Sequence, residues 1–184
     1  MIEEHATLPL PRITPAPHLL LVVAPYYRAI ADGLLAGATA TLRRAGATHE
    51  MVEVPGALEI PPAIRIASRA RRHDGFVALG CVLRGETTHY DTVCNDSSRG
   101  LMLLGLDGLC IGNGILTCET VEQARVRAAI SGQDKGGGAA AAALHLVALA
   151  RRFRAPGRER DPADPPGESE MLLAGPVDPR RTTG

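Results

Sequence analysis

Three observations predict an α/β protein, a three-layer α/β/α sandwich around a four-stranded parallel sheet. Four short apolar runs alternate with segments of helical periodicity, the pattern of strands joined by crossover helices. The apolar runs lack clean polar alternation, as expected when helices cover both faces of a sheet. The chain has 184 residues, 45% of them hydrophobic, enough for one domain with a real core and too few for two.

The elements follow in order. Residues 19–24, Leu-Leu-Leu-Val-Val-Ala, read as a buried strand. Residues 28–44 read as a helix with Ile30, Leu34, Leu35, Ala38 and Leu42 on one face, ended by Gly46. A short strand at 49–54 carries Met51 and Val52. Residues 58–72 repeat Ile60, Ile64 and Ala67 at helical spacing, and Pro61 and Pro62 are tolerable only in the first turn of that helix. Residues 76–83 form the third strand, 90–106 a helix, and 109–116 a fourth strand interrupted by glycines. Thr120-Val-Glu-Gln123 fits a capping box opening a helix to Ala129, and the last helix covers 139–150.

The ends differ from this middle. Of the 14 prolines, four fall within 9–17 and six within 156–179. Residues 1–16 are therefore expected to form a flexible arm, 17–154 the folded domain, and 155–184 a disordered tail. Zero formal net charge gives no reason to expect nucleic acid or a membrane surface as partner. No apolar run approaches the roughly 20 residues that span a bilayer. The opening Met-Ile-Glu-Glu-His lacks the basic and apolar regions of a secretory leader, so a cytoplasmic location is expected. Cys81, Cys94, Cys110 and Cys118 form no CxxC pair and are expected to be buried free thiols.

Function is concentrated at the strand ends. Arg84-Gly-Glu-Thr-Thr-His-Tyr-Asp91 joins the third strand to a helix, a place where free backbone N–H groups hold an anion. His89 lies close enough to move protons for whatever binds there. In open parallel sheets ligands bind outside the carboxyl ends of strands. Pro25-Tyr-Tyr27, Val54-Pro-Gly-Ala-Leu-Glu59 and Asn113-Gly-Ile-Leu-Thr117 all fall at such ends. Tyr26, Tyr27 and Tyr90 are three of only five aromatic residues, and tyrosines on a rim suit stacking on a flat heterocycle. The chain has nineteen arginines and one lysine, Lys135, which singles that lysine out. No GxGxxG or P-loop pattern supports a nucleotide-binding alternative.

Three blocks in this order resemble the signature motifs of the lumazine synthase family: Val54-Pro-Gly-Ala-Leu-Glu-Ile-Pro61, Ala78-Leu-Gly-Cys-Val-Leu-Arg-Gly-Glu-Thr-Thr-His-Tyr-Asp91, and Gly114-Ile-Leu-Thr117 with Glu122-Gln-Ala124. The resemblance covers roughly 19–153 and implies a flavodoxin-like topology. It implies condensation of a ribitylaminouracil with dihydroxybutanone phosphate to dimethylribityllumazine in riboflavin biosynthesis, with loss of phosphate and water. It implies no metal or organic cofactor and a homo-oligomer, a pentamer above all, with sites at subunit interfaces. His89 matches the family's proton-transfer histidine, and Tyr26 the aromatic that stacks on the pyrimidine. Ala57, Leu58 and Glu59 match the ribityl-binding segment. Cys81, Val82 and Leu83 match the strand end that meets the heterocycle. Glu86 and Thr87 match the phosphate-binding turn. Asn113, Arg127 and Lys135 match positions contributed by a neighbouring subunit.

The chain departs from the pattern at Pro25-Tyr26-Tyr27, where Arg-Phe-Asn or similar is usual, and at Asn113, where many members carry an aromatic. A non-catalytic relative that binds flavin-like heterocycles or serves as an assembly scaffold is the alternative. The set of His89, Arg127 and Lys135 favours the enzyme.

Overall fold

The computed structural model describes residues 8–154; residues 1–7 of the expected arm and the expected tail 155–184 lie outside the described residues. Strand β1 (His18–Val23) leads through a 3-10 turn, Pro25–Tyr27, into helix α1 (Arg28–Arg44). Strand β2 (Thr48–Glu53), a second 3-10 turn at Ala57–Glu59, helix α2 (Ile60–Ser68) and strand β3 (Gly75–Leu83) follow. Helix α3 (His89–Leu106), strand β4 (Ile111–Cys118), and helices α4 (Val121–Ala128) and α5 (Lys135–Arg154) complete the order. All strand pairs are parallel, in the order β2-β1-β3-β4. This is the flavodoxin-like order, whose direction reverses between the first and third strands.

The side-chain period of two divides the sheet's apolar residues between two cores. Leu19, Leu21 and Val23 of β1 and Val77, Leu79 and Cys81 of β3 face α1, α4 and α5. Leu20 and Val22, with Phe76 and Ala78, face α2 and α3. Both faces are covered, which is why the strands read as unbroken apolar runs. The edge strand β2 differs: all six of its residues are exposed, Met51 and Val52 included. Leu10 and Ile13, from the stretch before β1, pack against the first core.

Local signals explain the helix limits. Gly46 adopts φ 70°, the left-handed turn that ends α1 and that glycine reaches without a Cβ penalty. In α2 the prolines stand within the first turn, where no intrahelical N–H is needed. The helix stops at Ser68, short of the expected Arg72. At α4, Thr120 Oγ1 accepts from Gln123 N–H (3.3 Å), and Gln123 Oε1 accepts from Glu119 N–H (3.0 Å). The reciprocal bond reaches one residue beyond the cap, a shifted capping box. Thr120→Ala is expected to cost about 1 kcal/mol, read as a lower urea midpoint with unchanged slope.

Helix α5 begins at Lys135, four residues before the expected start, with Gly136, Gly137 and Gly138 inside it. Asp134 Oδ1 accepts from Gly137 N–H (3.1 Å) and caps the helix. The glycines bring α5 against its neighbour. A Cβ on Gly136 would lie 2.0 Å from the Leu34 carbonyl oxygen of α1, and one on Gly112 of β4 would lie 1.8 Å from that of Ala139. Among the described residues, no helix is long and apolar enough to cross a membrane.

Candidate active site

The carboxyl ends of β1 and β3, at the point where strand order reverses, open into a cleft of about 380 Å³. Three segments build it. The turn after β1 supplies Tyr26 and Tyr27, whose rings meet edge-to-face at 5.1 Å. Tyr26 is 75% exposed and free to cover a bound ring, whereas Tyr27 is half-buried. Burial first, then neighbouring Tyr26 and Cys81, pushes the Tyr27 phenol up, so it remains a hydroxyl donor at neutral pH. An ion pair between Arg28 of α1 and Glu53 of β2 (2.5 Å) ties down the start of the next helix beside this turn.

The second segment is the 3-10 turn with Ala57, Leu58 and Glu59. Ala57 is buried and Glu59 exposed, and both line the cleft with Leu58. The third runs from the end of β3 into α3. Cys81, Val82 and Leu83 form the floor, and Gly85, Thr87, His89 and Tyr90 form the far wall. His89 is the first residue of α3, exposed, with its N–H 3.4 Å from Thr87 Oγ1. The cleft thus ends at a helix N-terminus, whose first amides lack intrahelical acceptors and favour an anion.

Burial first, with Cys118 and Cys94 nearby, pushes the Cys81 thiol up to about 12, and burial likewise raises Cys94. Thiols held protonated are poor nucleophiles, so Cys81 serves as part of the cleft lining. None of the four cysteines is in a disulfide; Cys94 is partly exposed and the other three are buried.

The motif's own arginine is already engaged. Arg84 pairs with Asp91 (3.1 Å) and Glu119 (3.0 Å), and its guanidinium lies 4.1 Å over the Tyr90 ring. Both carboxylates, Asp91 first, hold it in its charged form. Arg84 therefore braces the 85–88 turn between β4 and α3 and does not meet an anion itself. No sequence pattern marked that brace.

Nine of the thirteen sequence candidates meet at the cleft: Tyr26, Ala57, Leu58, Glu59, Cys81, Val82, Leu83, Thr87 and His89. Glu86 is exposed on the same turn and outside the lining. Asn113, Arg127 and Lys135 stand apart from it. Asn113 is exposed on the edge strand β4, with Oδ1 accepting from Ile115 N–H (2.9 Å). Arg127, on α4, donates to the Gln123 carbonyl (3.1 Å), and Lys135 is exposed at the first turn of α5.

An aromatic-walled cleft at the switch point of a flavodoxin-like sheet, closed by a helix N-terminus and a histidine, defines an α/β protein with a cleft shaped for a small molecule. Comparison with known proteins narrows the class. The family model for 6,7-dimethyl-8-ribityllumazine synthase matches residues 16–151, and the chain belongs to that family. The 6,7-dimethyl-8-ribityllumazine synthase of Jannaschia sp. (strain CCS1) is 54% identical over 149 residues, 81% of this chain and 84% of that relative. The proteins of the same name from Sphingopyxis alaskensis and Bartonella henselae are each 53% identical over 74% of this chain, covering 96% and 90% of their own lengths.

Proposed function

We propose that this chain condenses 5-amino-6-(D-ribitylamino)uracil with 3,4-dihydroxy-2-butanone 4-phosphate to 6,7-dimethyl-8-ribityllumazine, as the last-but-one step toward riboflavin. The observation that carries this reading is the convergence of three separate segments on one cleft that ends at His89 and the N-terminus of α3. Tyr26 stacks on the pyrimidine, Ala57, Leu58 and Glu59 hold the ribityl chain, and the 81–83 strand end meets the heterocycle. The amine of the first substrate attacks the ketone of the second and a first water leaves; the resulting imine loses phosphate, and ring closure on the remaining carbonyl releases a second water. His89 takes and returns protons in these steps. The imine nitrogen comes from substrate, so no enzyme lysine becomes covalent.

Glu86, Thr87 and the α3 N-terminus receive the phosphate, joined by Arg127 and Lys135 of a neighbouring copy in a cytoplasmic homopentamer; Asn113 of that copy borders the ring. The position of Lys135 supports this reading. It is the chain's only lysine, and it stands in the first turn of α5, where the helix dipole disfavours a cation. Arg127 donates to a backbone carbonyl, while its neighbour Arg125 pairs with Glu122 (3.9 Å). A fork of donors suits phosphate.

Purified protein mixed with both substrates is expected to form the lumazine, followed by its absorbance and fluorescence. A folded oligomer that binds a flavin-like ligand and forms no product would overturn the enzyme reading. Arg127→Ala is expected to raise KM for the phosphate-bearing substrate about tenfold, the loss of a charge-assisted bond of roughly 1.5 kcal/mol. KM for the ribitylamino substrate should change little; equal effects on both would remove Arg127 from the phosphate.

A further inference from the structure

At the opposite end of the sheet, where the strands begin, three residues without any sequence motif come together. His18 opens β1, Glu50 lies in β2, and His73 stands two residues before β3. One ligand atom from each lies within 4.8 Å of the others, the one such group of three among the described residues. His73 Nε2 is 3.2 Å from Glu50 Oε2, and His18 Nε2 is 3.5 Å from Glu50 Oε1.

The rings are held in place. The His73 side chain is 5% exposed, stacked on His18 (centroids 5.2 Å, planes 20° apart) and tilted against Phe76 at 5.9 Å. His73 Nδ1 is buried with no hydrogen-bond partner, which leaves Nε2 as the nitrogen that can bind outside the ring. His18 Nδ1 is 2.8 Å from Thr48 Oγ1, an outer contact that orients the ring and leaves its Nε2 toward Glu50. Glu50 is a carboxylate held below its ordinary range by its hydrogen bond to His73 first, and by Arg72.

We propose that His18, Glu50 and His73 bind a divalent transition-metal ion of the zinc class. Two imidazoles and a carboxylate are a donor set zinc takes with a fourth position left to water. Tetrahedral ligands at zinc distances stand about 3.4 Å apart; the two contacts of Glu50, one through each carboxylate oxygen, are 3.2 and 3.5 Å, and a small rotation of the carboxylate presents one oxygen to both rings. The charge already on Glu50 is the opposing factor: Arg72 Nη2 lies 3.2 Å away, but that side chain is 66% exposed and swings free at little cost. The ion ties the starts of β1, β2 and β3 together at the end of the sheet away from the cleft, so it acts on stability and takes no part in the condensation.

The test uses the full chain stripped with chelator and titrated with zinc against a chromophoric competitor, with cobalt as a spectroscopic substitute. One ion per chain is expected, with visible cobalt bands of a four-coordinate nitrogen–oxygen site and a higher Tm on zinc addition. His18→Asn and Glu50→Gln should each weaken binding more than about tenfold and abolish the Tm rise. Both sites are accessible, so these variants are expected to fold, and circular dichroism checks it. Arg72→Ala should bind more tightly and His49→Ala unchanged. Absence of binding overturns the proposal, and so does equal zinc affinity in folded His18→Asn or Glu50→Gln protein, which assigns the ion elsewhere.

Discussion

His89→Ala is expected to lower kcat about 10²-fold and to leave measurable turnover. General acid–base catalysis by one side chain contributes roughly 10²–10⁴, and two features favour the lower end. His89 is exposed at the mouth of the cleft, so water competes as proton carrier. The larger share of rate comes from holding amine and ketone in register, which orientation alone can supply at effective molarities of order 10⁵ M or more. The stacking and phosphate contacts proposed to provide it do not involve the imidazole, so KM for both substrates should stay within about threefold. Stability should change little, since the residue is exposed. Steady-state kinetics beside a melting curve reads both. Complete loss of turnover in a folded, substrate-binding variant would contradict an orientation-dominated site, and an unchanged kcat would remove His89 from the proton transfers.

Gly136→Ala and Gly138→Ala, the same change two residues apart in one helix, are expected to shift stability in opposite directions. The first places a methyl group 2.0 Å from the Leu34 carbonyl oxygen. That contact is backbone on both sides, so α5 must move off α1 by more than an ångström, and the packing of Leu34 and Ala140 goes with it. A cost of about 3 kcal/mol or more follows. The second methyl group meets nothing within 4 Å, and replacing glycine in a helix recovers about 0.5–1 kcal/mol. Urea unfolding of both variants decides the matter: two equal shifts of either sign would refute the close approach of the helices.

These glycines also mark where sequence reading reached its limit. Strands β1 and β3 and helix α1 were legible because their apolar spacing is a direct consequence of burial on one face or both. The first turn of α5 was not, because three successive glycines oppose a helix by intrinsic propensity, and only the backbone contact with α1 explains their presence. Met51 and Val52 read as part of a short strand, but nothing in their spacing showed that β2 is an edge whose side chains all reach solvent. At the cleft, residues 54–61 and 78–91 were legible as strand-end motifs because the open parallel sheet dictates where ligands go. The Arg84 brace and the His18–Glu50–His73 cluster were not, since their partners are brought together by strand register and by no spacing along the chain.

Asn113, Arg127 and Lys135 lie apart from the cleft of their own chain. Under the proposed interface, a single chain carries two unmatched halves of different sites, one at each flank. Catalysis then becomes a report on association: specific activity falls on dilution as the subunits part, although each chain stays folded. Two defective variants can also repair one another. Mixed and reassembled, His89→Ala and Arg127→Ala chains regain intact sites at about a quarter of the shared boundaries of a cyclic ring, while a protein whose sites were self-contained would regain none.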